Sequence, residues 1–574
     1  MGDAPVLERH HHGSNEDESE TRMTLIQLRS VEKFYGGRAV LRGLEMRVNP
    51  GARLGLVGGN GAGKSTVLRI LAGLEEVDGG EVTRRRGLSV AFLPQHVEGD
   101  GRTPLEVVRA ARPELAEVRG EIADCEARLG APEVADDLRK MQRLLERHGR
   151  LLQRFTELGG QGFEGEARGY LRSLGLDGDD ADRPTSDLSG GQRKLAALAA
   201  CLARRPDVLL LDEPESHLDA VRRERLEALI RTFDGAVVVV SHDRYLLDET
   251  VTEIAELDGG KTKSWPGNYS AYALARELAL KRQQQLYVTQ QKEIARLEEA
   301  IRRFQQWAHN TENERHARQA RVKQRQIERM DKIDRPVLER RRIGLGFREN
   351  VRGGKKVLEL RAASVAFGEE PVLIGVDLTV ARGERVGVIG ANGAGKSVLA
   401  KLLAGIIPPT EGERWVGPSI KTGYLAQDPE PPASATPLGL VRDAKPLYEG
   451  EAVNLLGRFL FRYEQVREPV RNLSGGERTR LQLLLLMLGE PNCLILDEPT
   501  NHLDIDSLEV LERELERFPG TVVFVSHDRY FLDRISDKTV EVRDAGLYRY
   551  EGGYSAWRHS KAGQRGRISA SAAG

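Results

Sequence analysis

Short apolar runs bounded by polar turns alternate along this chain with longer segments whose apolar positions recur every three or four residues. Val208–Leu211 and Ala236–Val240 are the clearest short runs. Consecutive aliphatic residues over so short a span predict strands buried on both faces of a parallel sheet. A bilayer-crossing helix needs about 18 or more apolar residues, and no run here approaches that. Leu115, Val118, Ile122, Cys125 and Leu129 recur at helical spacing before Gly130. After Pro132, Leu138, Met141, Leu145, Leu152 and Phe155 predict a second helical stripe ending near Gly159-Gly160. Further on, Ile294, Leu297, Ile301, Phe304 and Ala308 form a heptad-like stripe that the polar run His309–Glu314 interrupts. Val322, Ile327, Met330 and Ile333 are expected inside a second arm, with Pro336 near its end. This predicts a helical hairpin from about Ala271 to Arg342, its first arm roughly 50 Å long.

The pattern repeats. Gly58-Gly-Asn-Gly-Ala-Gly-Lys64-Ser65 returns 332 residues later as Gly390-Ala-Asn-Gly-Ala-Gly-Lys396-Ser397, and Gln95 returns as Gln427 at the same offset. Leu188-Ser-Gly-Gly-Gln192 returns as Leu473-Ser-Gly-Gly-Glu477 at an offset of 285. Asp212-Glu213-Pro214 and Ser241-His242-Asp243 return at 285 as well, as Asp497-Glu498-Pro499 and Ser526-His527-Asp528. The chain is therefore two copies of one nucleotide-binding domain, and the first carries 47 extra residues between Gln95 and Leu188.

The repeated residues carry phosphate chemistry. A glycine-rich loop ending in Lys-Ser curls its backbone N–H groups around phosphates, and the helix that follows adds its positive end. Lys64 and Lys396 are expected on the β- and γ-phosphates, Ser65 and Ser397 on Mg²⁺. Asp212 and Asp497 end central strands, where a carboxylate can hold the magnesium water shell. Glu213 and Glu498 follow directly and are placed to polarise the attacking water. One histidine alone is usually structural. His242 and His527 both lie 30 residues beyond the aspartate, which points to a γ-phosphate sensor.

Charge changes the picture in one place. Among 574 residues, 86 Lys and Arg against 87 Asp and Glu give a net charge of −1, which excludes a uniformly basic nucleic-acid coat. Yet Arg276 to Arg342 holds 18 basic and 10 acidic residues, a net of +8. The inserted stripe is also segregated: eight acids in residues 114–137, then Arg139, Lys140, Arg143, Arg147, Arg150 and Arg154. Those bases either zip to the acidic neighbour or touch phosphates. Cys125, Cys201 and Cys493 form no C-x-x-C pair and suggest neither disulfides nor a zinc site. His10, His11 and His12 sit in an acidic tail that reads as disordered, and Met23 is a candidate start.

This set of motifs resembles the ATP-binding-cassette superfamily. The resemblance implies an α/β fold with two tandem P-loop cassette domains, each with a helical subdomain, joined by an α-helical hairpin linker. The expected divisions are a tail at 1–22, a first cassette at 23–270 with an arm at about 110–160, a basic hairpin at 271–345, a second cassette at 355–560, and a flexible tail at 561–574. The family closes two cassettes head to tail around two ATP molecules, which implies both sites here.

Carried over, site one takes Tyr35 against adenine; Gly58, Asn60, Gly61, Gly63, Lys64, Ser65, Thr66 and Gln95 around the phosphates; and Glu213 and His242 for catalysis. Ser474, Gly475, Gly476 and Glu477 would close it from the other cassette. Site two takes Phe367, Gly390, Asn392, Gly393, Gly395, Lys396, Ser397, Gln427, Glu498 and His527, closed by Ser189, Gly190, Gly191 and Gln192. Magnesium would be held by Ser65, Gln95 and Asp212, and by Ser397, Gln427 and Asp497. Asp219 and Asp504 fall at the family's D-loop positions. Both sites are expected to bind and hydrolyse ATP. Glu215-Ser216 replaces Thr500-Asn501, adding a charge that site one is expected to tolerate.

Two cassettes fused by a basic hairpin resemble the ABC-F subfamily, as do Asp497–Asp504 (Asp-Glu-Pro-Thr-Asn-His-Leu-Asp), Gly267-Asn268-Tyr269-Ser270 and the placement of the insertion. The resemblance implies a cytoplasmic monomer that binds the ribosome near the tRNA exit site, with Arg315, Arg318, Arg321, Lys323, Arg325 and Arg329 as candidates for contact with rRNA or tRNA. The alternatives are an antibiotic-resistance ribosome-protection protein and the ATPase subunit of a membrane transporter. The polar hairpin tip favours a translation factor.

Overall fold

The computed structural model describes residues 24–130, 138–216, 218–311, 314–330, 333, 354–368, 370–427, 434–459, 461–501 and 503–561. The expected tails, Met23 and Pro336 lie outside the described residues.

The first cassette opens with β1 (Ile26–Tyr35), β2 (Arg38–Val48), β3 (Arg53–Val57), β4 (Gly79–Arg84) and β5 (Val90–Leu93), followed later by β6 (Val208–Asp212), β7 (Ala236–Val240), β8 (Glu253–Asp258) and β9 (Lys261–Pro266). A six-stranded sheet runs β5-β6-β7-β3-β8-β9, parallel except for the β8–β9 hairpin. A small antiparallel sheet runs β2-β1-β4.

Every residue of β6 and β7 is buried. The period of two divides them between two cores. Val208, Leu210, Val238 and Val240 pack with Val67, Leu68 and Ile70 on one face. Leu209, Leu211, Val237 and Val239 pack with Leu195, Ala199 and Leu246 on the other. Each such side chain contributes roughly 1.5–3 kcal/mol of transfer free energy.

The second cassette repeats the plan. β10 (Lys356–Phe367), β11 (Glu370–Ala381) and β13 (Glu411–Val416) make its small sheet. β12 (Arg385–Gly390), β14 (Thr422–Leu425), β15 (Cys493–Asp497), β16 (Thr521–Val525), β17 (Lys538–Arg543) and β18 (Gly546–Glu551) make the large one, in the order β14-β15-β16-β12-β17-β18. Among the described residues, no helix is long and apolar enough to cross a membrane.

The insertion is a helical pair, Pro113–Leu129 and Leu138–Glu157. Its first stripe packs as expected, with Leu115, Val118, Ile122 and Cys125 buried. Of its second stripe, Phe155 packs against this small core and Met141 is half-buried, but the leucines are displaced by one position. Leu144 and Leu151 are buried against Val118, Ile122 and Cys125. Leu138, at 80% exposure, and the less exposed Leu145 and Leu152 point outward. The chain offers leucine at 144 and 145 and again at 151 and 152, and one helix face can meet only one of each pair. Arg147 pairs with Glu121 at 3.0 Å and His148 with Glu126 at 3.1 Å, so part of the basic face zips to its acidic neighbour.

The hairpin is Tyr269–Thr311 and Glu314–Glu328. At 43 residues, the first helix extends about 65 Å. Leu297, Ala300, Ile301 and Ala320 are buried in its seam, whereas Val322, expected inside, is 59% exposed. Trp307 is half exposed and packs edge-on to Phe304, with ring centroids 5.8 Å apart. Arg315, Arg318, Arg321, Arg325 and Arg329 are exposed on the second arm, and Lys323 is half-buried.

Candidate functional site

Each phosphate loop joins a central strand to a helix, Lys64–Ala72 or Lys396–Ala404. Gly58 has φ +159°, and a Cβ there would lie 2.5 Å from the Leu257 carbonyl oxygen; Gly390 meets Val542 in the same way at 2.6 Å. Gly63 and Gly395 precede the helices in the left-handed region. Only glycine lets the backbone turn this tightly and present its amides. Lys64 Nζ donates to the carbonyls of Gly58 at 2.8 Å and Gly59 at 3.2 Å; Lys396 Nζ donates to Gly390 at 3.1 Å and Ala391 at 2.9 Å. Both ammonium groups are thus held over the cradle, and burial lowers the pKa of each.

The acids lie opposite the loops. Asp212 and Asp497 end β6 and β15, nearly inaccessible to solvent. Ser397 Oγ donates to Asp497 Oδ1 at 3.1 Å, and the Ser65 side chain is hydrogen-bonded to Asp212. Asp212 Oδ1 is buried with no partner. Desolvation raises the pKa of both aspartates. Glu213 and Glu498 follow with φ +46° and +51°, a strained conformation for a non-glycine residue. The same strain at the same place in both copies aims each carboxylate back toward its loop.

His242 Nε2 lies 3.7 Å from Glu213 Oε1, and His527 Nε2 lies 3.3 Å from Glu498 Oε1. Both histidines sit well below the ordinary imidazole range, held there first by burial and then by the nearby lysine, so both are neutral at pH 7. Neither His242 ring nitrogen has a hydrogen-bond partner. Burial pushes the Glu498 carboxyl up to about 7. Gln95 Nε2 donates to Glu213 Oε2 at 3.0 Å.

The cassettes meet across these sites. A cavity of about 550 Å³ is lined by Tyr35, Lys64, Ser65, Glu213 and His242 of the first cassette and by Ser474, Gly475 and Gly476 of the second. Ser474 caps the helix Gly475–Leu488, whose N-terminal amides face that cavity; Glu477 completes the capping box. Asp504 Oδ2 accepts from the Asn60 amide at 3.1 Å, so one cassette's D-loop touches the other's phosphate loop. A second cavity, about 740 Å³, holds Asn392, Gly393, Lys396, Ser397, Gln427, Glu498 and His527. Ser189, Gly190 and Gly191 are not among its lining residues; the first cassette supplies Gln95, Glu213, Ser216 and Arg223 instead. Ser189 and Gln192 form the matching capping box on their own helix. Asp219 lies with Gly390–Ala394 in a neighbouring pocket.

The two rings expected against adenine differ: Tyr35 lines the first cavity, and Phe367 is not among the residues lining the second. Tyr35 is held through its hydroxyl by Glu75, itself paired with Arg69 at 2.8 Å. Phe367 is exposed and has no hydroxyl to hold.

Several residues that shape this assembly escaped the motif reading. Arg244 is buried against Glu512 of the other cassette, with Nη1 to Oε2 at 3.0 Å, and Arg529 lies 2.7 Å from Glu227. Each guanidinium stacks on a tyrosine across the interface, Arg244 on Tyr530 and Arg529 on Tyr245. Both pairs are related by the offset of 285, and the repeated Ser-His-Asp-Arg-Tyr was the visible signal. The hairpin root is tied to the same region. Tyr269 Oη donates to Glu509 at 3.5 Å, and Arg276 bridges Glu256 at 2.7 Å and Asp506 at 3.1 Å.

A family model described as ABC transporter matches residues 41–216 and again 373–501; a second model with that description matches 255–345. The chain is 34% identical to ABC transporter F family member 2 of Arabidopsis thaliana, over 92% of this chain and 78% of the relative. It is 33% identical to the energy-dependent translational throttle protein EttA of Haemophilus influenzae, over 91% of this chain and 93% of that protein. The solved structure of the archaeal ribosome recycling factor aABCE1, in complex with the stalk protein aP1, shares the fold with a TM-score of 0.60 at 18% identity, covering 93% of this chain and 92% of that one.

Proposed function

The chain belongs to the ABC-F subfamily of ATP-binding-cassette proteins and is an ATPase, and from that premise we propose that it binds the ribosome under ATP control, near the tRNA exit site, and modulates translation. The carrying observation is the basic hairpin rooted on the cassette interface. Arg276 ties its first helix to Asp506, two residues from the Asp504 that touches the phosphate loop of site one. A change in cassette closure is thereby transmitted to a lever about 65 Å long. The exposed arginines of its second arm suit phosphate backbones, read by shape and not by base sequence. The relative named as a translational throttle protein supports the same reading.

At each site the Glu carboxylate, Glu213 or Glu498, orients and polarises the attacking water, and the neutral His beside it senses the γ-phosphate. Lys64 and Lys396 exchange their loop carbonyls for phosphate oxygens when ATP binds. Magnesium fits the Ser–Asp pairs, since Asp212 is hydrogen-bonded to Ser65 and keeps its Oδ1 buried without a partner, and Ser65, Gln95 and Asp212, with Ser397, Gln427 and Asp497, are the residues that would hold it. When bound, the ion would supply charge that offsets the negative charge of the triphosphate.

Sedimentation through a cushion with purified ribosomes tests the proposal. The protein should pellet about tenfold more with a non-hydrolysable ATP analogue than with ADP, and binding should fall steeply from 50 to 200 mM salt. The Glu213→Gln/Glu498→Gln chain should remain on ribosomes with ATP itself. Nucleotide-independent pelleting, or recovery with membranes, would defeat the reading and favour a transporter subunit.

A further inference from the structure

The two copies carry the same loops, acids and histidines, so any difference between the sites must come from what surrounds them. One position separates them sharply. Four residues beyond the D-loop aspartate, the first cassette has Arg223, and the second has Leu508 at the offset of 285. Arg223 lies on the helix Ala220–Thr232, capped by Asp219, and Leu508 lies on the helix Ile505–Arg517, capped by Asp504.

Three contacts fix the guanidinium. Nε donates to the Leu218 carbonyl at 3.0 Å; Nη1 donates to Asp243 Oδ2 at 3.1 Å and to the His527 carbonyl oxygen at 2.9 Å. Asp243 is itself immobilised, because its Oδ1 caps the helix Arg244–Thr250. The first two contacts lie in the first cassette, and the third reaches the backbone of the second cassette's sensor histidine. The side chain borders both cavities, but on the site-one side its charge is taken up by Asp243, and across the interface it bears on Glu498 and His527. Leu508 borders the cavity at site one and can donate no hydrogen bond.

We infer that Arg223 is a positioning residue supplied in trans to site two: it fixes the His527 backbone beside Glu498 when the cassettes are closed and adds a cation facing the bound triphosphate, whereas at that position the opposite cassette supplies only Leu508 to site one. The inference rests on the assignment of Glu213 and Glu498 as the water-polarising acids. A cation aimed at a transferring phosphoryl group acts mainly in the transition state. Removing it therefore lowers kcat more than it raises KM. The bond to His527 exists only across the interface, so site two couples hydrolysis to closure more tightly than site one.

The test uses the full-length chain and steady-state phosphate release from Mg-ATP. In the Glu213→Gln background, where site two alone retains its acid, Arg223→Leu should lower kcat about tenfold or more and shift KM less than about threefold. In the Glu498→Gln background the same substitution should lower kcat no more than about twofold. Arg223→Lys should recover part of the loss in the first background, since an ammonium keeps the charge without the fork. An equal loss in both backgrounds, or none in the first, would overturn the inference. Turnover surviving in the Glu213→Gln/Glu498→Gln chain would instead refute the acid assignment, so the two failures are told apart.

Discussion

Behind the acid of site one, Glu215 is buried and accepts from Ser241 Oγ at 2.6 Å, with Lys194 beside it donating to the Glu213 carbonyl oxygen at 2.5 Å and to Ser216 Oγ at 2.6 Å. Behind the acid of site two, the equivalent positions are Thr500 and Thr479; Thr500 shares a 3.1 Å hydrogen bond with Ser526, and Thr479 caps back onto the Gly475 carbonyl. A buried carboxyl and a buried ammonium in one copy have become two hydroxyls in the other. Burial holds a proton on Glu215, and Lys194 donates to carbonyl and hydroxyl oxygens, so each is satisfied without an ion pair between them. The reacting groups are shared between the copies, and the shell holding them diverges. Arg223 opposite Leu508 and the tethered Tyr35 opposite Phe367 are further instances.

The largest expected effect probes the interface that orients both sites. Arg244 makes aligned hydrogen bonds to Glu512 and lies 3.4 Å from Asp528, whereas Arg529 is close to Glu227 without hydrogen-bond alignment. Arg244→Ala should cost about 3–5 kcal/mol in denaturant unfolding, and Arg529→Ala clearly less. Burial raises both carboxyls, Glu227 up to about 7, but only Glu512 accepts aligned hydrogen bonds, so Glu227→Gln should be milder than Glu512→Gln. Equal losses would erase the asymmetry.

The next effect is in pH. Burial first, then the Asp243 charge, pushes Glu215 up to about 7 from an ordinary 4.5. The folded chain keeps a proton that the unfolded chain releases, so this residue's contribution to stability is present below about pH 4.5 and is lost as pH rises toward 7. Glu215→Thr, which copies the second site, should remove up to about 3 kcal/mol of that decline. Thermal unfolding midpoints between pH 5 and 8 measure it; parallel curves for the two chains would contradict the assignment.

A smaller change concerns the hairpin root. Arg276→Leu removes both ion pairs of the bridge, to Glu256 and Asp506, worth about 1 kcal/mol each at most, and energy transfer between dyes on the hairpin and the second cassette should then respond less to ATP. Smallest is Tyr35→Phe, which makes the ring of site one resemble Phe367. Losing the tether to Glu75 should alter ATP affinity there by less than about threefold, read by equilibrium titration.

Much of this was legible along the chain. The fixed offsets of 332 and 285 set out both loops, both acids and both histidines, because phosphate chemistry tolerates few substitutes at those places. Less legible was which leucine of an adjacent pair turns inward: Leu144 and Leu145 have the same chemistry, and only the position of the neighbouring helix selects Leu144. Val322 was misplaced for the same reason, since the small Ala320 meets the partner helix instead. Arg223, Arg244 and Arg529 were visible only as ordinary helix arginines, because their meaning lies in partners 268 to 304 positions away.

Residues close together in the chain specify the chemistry: two phosphate cradles, two water-polarising acids, two sensor histidines and a basic hairpin between them. Local spacing suffices for these, since each is a loop or strand end built from neighbours in the chain. Only the tertiary structure decided that the Asp504 D-loop reaches the opposite phosphate loop, that Arg276 roots the hairpin beside it, and that Arg223 leans on His527. Those contacts follow from the face-to-face packing of two folded domains, and that geometry is set by burial and charge pairing across an interface which no local pattern encodes.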